Sequence, residues 1–184
     1  MKRTLSILLT VMVLFLSPSF SLAASDILKT PTGTVLDRDV YYPGTEELGH
    51  DEMRVIACGT GTPNARPKQA ASCWLVELGN GDKFIFDIGL GSTERIAAMK
   101  IPYDYLDKIF IGHLHADHIG DLDALWIGGV IANRQRPLRI WGPSGANPEL
   151  GVKHMIRHMK EMYIWDYTSR LGNVNTRGFE IEAT

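Results

Sequence analysis

Lys108-Ile109-Phe110-Ile111-Gly112-His113-Leu114-His115-Ala116-Asp117-His118 is the stretch on which the reading of this chain turns. Lys108 to Ile111 is a short, continuous apolar run of the kind that forms a strand buried on both faces. It leads directly into four ligand-type side chains spread over six positions. His113 and His115 alternate off one extended segment, so both rings can point to the same side, while Asp117 and His118 come at the turn that enters the next helix. Neutral imidazole and carboxylate are the donors zinc prefers when it must keep a position open for water, and a cysteine-free set favours a catalytic over a structural site. A polar loop of solvated histidines is the bland alternative. Half of the six histidines in the chain fall here, directly behind a buried strand, which favours the metal.

Upstream of this stretch the pattern is that of short strands. The core starts at Met53, with Arg54 to Cys58 as a strand stopped by Gly59-Thr60-Gly61-Thr62-Pro63, and a second strand from Ser72 to Leu78. Gly79-Asn80-Gly81-Asp82 reads as a hairpin turn, because Asn-Gly accepts the positive φ angles such turns use. Lys83 to Asp87 forms the third strand. Ser92 then caps a helix with Arg95 to Met99 in its body, closed by Ile101-Pro102.

Downstream, Asp121 to Ala132 has helical apolar spacing, Leu138 to Trp141 is a strand, and Pro148 to Trp165 reads as a second long helix. Phe179 to Thr184 looks like the beginning of a further strand. Strands first in hairpins and then alternating with helices predict a layered α/β domain.

The N-terminus carries a different signal. Lys2 and Arg3 precede an apolar run from Leu5 to Leu16, and Ser21-Leu22-Ala23 presents small residues where a signal peptidase cleaves, so residues 1–23 read as an export leader. Residues 24–52, rich in Pro, Gly, Asp and Glu, are expected to be an extended lead-in over the domain surface. Residues 53–184 would be the domain itself. With the leader removed the product is expected in the periplasm or outside the cell, without a membrane anchor.

Loss of Lys2 and Arg3 leaves 17 basic against 21 acidic residues, a formal charge near −4. Phosphate-binding proteins usually carry a basic surplus or stripe, so this balance points away from a nucleic-acid partner and toward a small-molecule substrate. Cys58 and Cys73 lie on two strands expected to be neighbours. An oxidising compartment permits a disulfide between them, with two buried free thiols as the alternative.

His113-x-His115-x-Asp117-His118 resembles the signature motif of the metallo-β-lactamase superfamily, and the resemblance extends from Met53 to about Gly145. Gly59-Thr60-Gly61-Thr62-Pro63, Phe86-Asp87-Ile88-Gly89 and Ile140-Trp141-Gly142-Pro143-Ser144-Gly145 look like flanking blocks of its ribonuclease Z and arylsulfatase-like branch. The resemblance implies an αβ/βα sandwich with two zinc ions at one edge. His113 and His115 would bind the first ion, and Asp117 and His118 the second, at the catalytic centre. A metal-activated bridging hydroxide would then attack an ester-type substrate, such as a phosphodiester or sulfate ester. Asp87 matches a family carboxylate beneath the metals and would accept the free ring N–H of a ligating histidine; a strand-end turn aspartate is its alternative reading.

Other residues are weighted the opposite way. His154 and His158 stand one helical turn apart, but Lys153, Arg157, Lys160 and Glu161 make an exposed polar face the better expectation. Trp126, Trp141 and Trp165 could line a substrate cleft, with core packing as the default. His50 receives no role.

The family's remaining ligands, a further histidine, a bridging aspartate and a final histidine, have no counterparts here. Beyond the motif helix the chain holds only His154, His158 and Asp166 of those residue types. Residues 53–184 therefore read as the N-terminal half of the sandwich. The expectations are an exported zinc hydrolase of which this is a piece, or a non-catalytic metal-binding module that assembles by its exposed edges. Iron-dependent oxygenase and lyase-type chemistry also occur in the superfamily.

Overall fold

A computed structural model describes residues 27–30, 33–36 and 48–184. Its main feature is a six-stranded mixed sheet in the order β3-β4-β5-β6-β7-β8. The strands are β3 (Met53–Gly59), β4 (Cys73–Leu78), β5 (Lys83–Phe86), β6 (Lys108–Phe110), β7 (Leu138–Trp141) and β8 (Ile181–Ala183). The first three pair antiparallel as a meander, and β5 through β8 run parallel. Parallel neighbours need crossovers, and helices supply them. They are α1 (Ser92–Ala98), α2 (Ala116–Ile119), α3 (Leu122–Ile131), α4 (Val152–Met162) and α5 (Ile164–Arg170).

Alternation along the strands decides the two faces of the sheet. Cys73, Leu75, Ile85, Ile109, Leu138 and Ile140 all point to the helix-covered side and are fully buried. With Leu122, Leu125, Trp126 and Ile156 from the helices they form one continuous core. Each such aliphatic side chain contributes about 1.5–3 kcal/mol by leaving water. Their neighbours in sequence point the other way, where Phe86 stacks on Phe110 at 5.1 Å and Phe110 on Trp141 at 4.8 Å. Trp74 and Phe86 remain exposed on that face.

Several local expectations change. Within the lead-in, β1 (Ile27–Thr30) and β2 (Gly33–Leu36) pair as a two-stranded antiparallel sheet. The expected leader, residues 1–23, lies outside the described residues. Among the described residues no helix is long and apolar enough to cross a membrane.

In the β4–β5 turn only Gly81 has positive φ, at 96°, and its N–H donates to the Leu78 carbonyl, while Asn80 keeps negative φ and accepts from Asp82 N through its side chain. This is a three-residue loop with glycine at the bulge position, not a two-residue Asn-Gly turn. Ser92 lies inside the first turn of α1 rather than capping it, since Gly91 at φ 80° makes the entry. The Ser92 hydroxyl donates instead to the Gly89 carbonyl.

Helix formation after the motif begins earlier than expected, and α2 and α3 are separated at Gly120-Asp121. Asp121 is held in place from outside: its N–H donates to the Ile88 carbonyl at 3.0 Å and its carboxylate accepts from Thr93 N at 2.9 Å. The expected long helix over Pro148 to Trp165 is a single 3₁₀ turn at Pro148–Leu150 followed by α4 and α5. Tyr163 breaks it, because its ring packs edge-on against Trp126 at 5.8 Å and its hydroxyl donates to Asp123 on α3.

Cys58 and Cys73 do lie on neighbouring strands, and both are free and buried. A bulge between Ala57 and Gly59 puts Gly59, not Cys58, opposite Cys73. A hydrogen bond with Cys58, reinforced by burial, pushes the Cys73 thiol well above its ordinary value.

Candidate metal centre

The parallel strands end at one edge of the sheet, and there the chain leaves β6 through Ile111 and Gly112 into the histidine cluster. Ile111 N donates to Trp141 O at 2.7 Å, which ties the exit of β6 to the end of β7. His115 stays extended, at φ −74° and ψ 152°, and its carbonyl accepts from His118 N at 2.9 Å as α2 begins. This change from extended chain to helix is what turns alternate residues and then adjacent ones toward a common point.

His113, Asp117 and His118 each offer a ligand atom to one group, and these atoms lie within 4.8 Å of one another. His115 stands beside them, its Nδ1 3.0 Å from Nε2 of His113. The rings of His113 and His118 are 3.9 Å apart. Nδ1 of His118 lies 2.7 Å from Oδ2 of Asp87, leaving Nε2 on the side of Asp117, at 3.6 Å from its Oδ2. Asp117 Oδ1 is buried and has no hydrogen-bond partner. A buried carboxylate oxygen without a donor is costly unless a cation completes it. The donor set, imidazole and carboxylate, suits a divalent metal, so the residues fit one.

Asp87 is built into this site from below. Its backbone has φ 59°, a left-handed conformation available to Asp and Asn at modest cost. One carboxylate oxygen accepts from Gly112 N at 2.8 Å, and the other takes His118 and, at 3.5 Å, the Ser72 hydroxyl. Gly112 and Ser72 were not singled out in the sequence; adjacency to His113 was the available signal for Gly112, and Ser72 had none. Ile88 N reinforces the arrangement by donating to His118 O at 2.8 Å. Gly89 permits this approach, because a Cβ there would sit 2.0 Å from the Asp117 carbonyl.

The other candidates lie elsewhere. His154 and His158 are on α4, where Arg157 contacts both rings and Glu161 is 2.8 Å from His158. Trp126 is core, Trp141 belongs to the aromatic stack, and Trp165 is 78% exposed on α5.

A mixed sheet that delivers the His113–His118 segment to the end of its parallel strands makes this a metallo-β-lactamase-fold protein of the ribonuclease Z branch. The chain belongs to the family described as "Anti-Pycsar protein Apyc1", which matches residues 53–163. It is similar to a ribonuclease Z of Mycobacterium marinum, 33% identical over 96 residues that make up 50% of this chain and 34% of the relative. A ribonuclease Z of Mycolicibacterium gilvum is 29% identical over 124 residues, 66% of this chain and 41% of the relative. The chain thus spans about a third to two fifths of the length of these curated relatives. Among solved structures, a long form RNase Z from yeast shares the fold with a TM-score of 0.51 and 18% identity, covering 73% of this chain and 18% of that one.

The expectation of no nucleic-acid partner is overturned by these relatives, whose name is that of a ribonuclease. Net charge misled because it averages the whole surface, whereas phosphate binding depends on where the cations sit.

Proposed function

We propose that the protein is a zinc-dependent hydrolase of ribonucleotide phosphodiesters, exported by its leader. The observation that carries the reading is the convergence of His113, Asp117 and His118 with a buried, partnerless Asp117 oxygen. The ribonuclease Z relatives support the substrate class, and the basic and apolar residues of 1–23 support export.

In this reading His113 and His115 hold one ion and Asp117 and His118 hold another. Zinc there would supply Lewis acidity to a phosphoryl oxygen and lower the pKa of a water molecule. Asp87 accepts the Nδ1–H of His118, which presents Nε2 as the ligand atom and fixes the ring plane. Gly112 N and Ser72 anchor the Asp87 carboxylate, so that histidine is oriented before any ion binds. The backbone bond from Ile88 to His118 and the close approach of Gly89 to Asp117 hold the motif turn against the end of β5.

The test is metal analysis of the purified protein, followed by assay with zinc on an RNA oligonucleotide, a chromogenic phosphodiester and a chromogenic sulfate ester. Bound zinc and cleavage of the two phosphodiesters are expected. Zinc binding with no turnover of either would leave a metal-binding module in place of an enzyme, and iron in the site would point to oxygenase chemistry.

A further inference from the structure

The helix α4 buries one stripe, Val152, Ile156 and Met159, against the core. At about 100° per residue, His154, His158 and Glu161 fall on the opposite side of the helix, spaced i, i+4 and i+7. The two imidazole rings stand 4.4 Å apart with their planes tilted by 58°. The side chains of His158 and Glu161 are 52% and 60% exposed, so an ion in solution can reach them.

Arg157 fixes the hydrogen-bond roles in this cluster. One of its terminal nitrogens lies 3.2 Å from Nδ1 of His154 and 3.4 Å from Nε2 of His158. A guanidinium only donates, so both ring nitrogens accept, and each turns a lone pair toward the same point. On the other side of the His158 ring, Nδ1 is 2.8 Å from Oε2 of Glu161. A carboxylate only accepts, so Nδ1 carries the ring proton and Nε2 is left open. This is the way a carboxylate orients a histidine that binds metal through its other nitrogen.

Two imidazole nitrogens one helical turn apart, converging on one cationic group, are a donor pair for a divalent ion of the zinc, nickel and copper class. Arg157 occupies the place such an ion would take, and it does so from the end of a long, exposed side chain that can extend into water instead. Lys153 and Lys160, which weigh against a metal in the sequence, lie about 100° or more round the helix from either histidine.

We propose that His154 and His158 bind one divalent transition-metal ion, with Nδ1 of His154 and Nε2 of His158 as ligands, Glu161 orienting His158, and water completing the coordination shell. The site shares no residue with the His113–His118 cluster and does not depend on the hydrolase reading.

Equilibrium dialysis of the whole chain, stripped by chelator and then exposed to rising zinc, counts the bound ions. Wild type is expected to take up one equivalent more than H154A/H158A, and each single variant is expected to lose that equivalent, because neither ring holds the ion alone. Glu161→Gln should keep the site but weaken it about tenfold, the low end for a carboxylate behind a ligating histidine. Arg157→Ala should tighten it about fivefold, since a like charge is removed from beside the ion. The same one-equivalent difference is expected between Asp117→Ala and D117A/H154A/H158A, which separates failure of the motif site from failure of this one. Circular dichroism checks that the variants, all changed on the outward face of α4 or at Asp117, keep their helices. Equal zinc uptake by wild type and H154A/H158A overturns the proposal, as does a weaker site in Arg157→Ala.

Discussion

Oδ2 of Asp87 and Nδ1 of His118 are 2.7 Å apart although 31 residues separate them in the chain. The end of β5 thereby sets the ring orientation of a residue delivered by β6. Replacing Asp87 with Asn keeps a side chain that tolerates φ 59° but weakens the acceptor, so zinc affinity should fall about 10- to 100-fold with the fold intact. Asp87→Ala should lose the same affinity and about 1 kcal/mol of stability besides, because alanine is strained in the left-handed region. Competition titration against a zinc chelator and thermal melts separate the two effects.

Asp117→Ala and His115→Ala test the ligand set itself. Both should lower bound zinc below wild-type stoichiometry and abolish phosphodiester turnover, as read by metal analysis and the chromogenic assay. Asp117→Ala should leave the metal-free protein no less stable, since it removes a buried oxygen that has no partner. Full zinc content in either variant would displace that residue from the site.

Gly89 offers a backbone test. A Cβ there would meet the Asp117 carbonyl at 2.0 Å and the Ala71 methyl at 2.7 Å, and backbone cannot rotate aside. Gly89→Ala should cost about 3 kcal/mol and lower zinc affinity in the same protein. Denaturant melts of the metal-free form give the first number.

Tyr163 should make alkaline stability depend on pH. Its hydrogen bond to Asp123 pushes the phenol from 10 up to about 12. A folded value above the unfolded one means that the stabilisation is full below pH 10 and is lost as pH rises toward 12. Absorbance of ionising tyrosine should show one late titration, missing in Tyr163→Phe. That variant should lose about 1–2 kcal/mol at neutral pH and show a flatter alkaline limb.

The thiols give a simple check on the packing of β3 against β4. Cys73 is fully buried with its pKa raised, so a thiol reagent should react with neither it nor Cys58 until the chain unfolds, and then count two. Loss of both thiols on oxidation in the folded state would show a disulfide instead.

The metal motif and the strands around it were legible because their determinants are local. Alternation in Cys73 to Leu78, the apolar run at Lys108 to Ile111 and the dense His113–His118 segment each act over a few residues. What was misread depended on distant partners. Tyr163 splits the last helices because of Trp126 and Asp123 on α3, and Asp121 separates α2 from α3 because of Ile88 and Thr93. The bulge that offsets Cys58 from Cys73 belongs to strand pairing.

The sequence by itself therefore determined the class of fold and the presence of a metal-type donor cluster, since periodicity and ligand spacing are written in adjacent residues. Only the tertiary structure decided how His118 is oriented and which oxygen of Asp117 lacks a partner. Those are relations between elements that pack together from far apart in the chain, and packing, not neighbouring sequence, sets them.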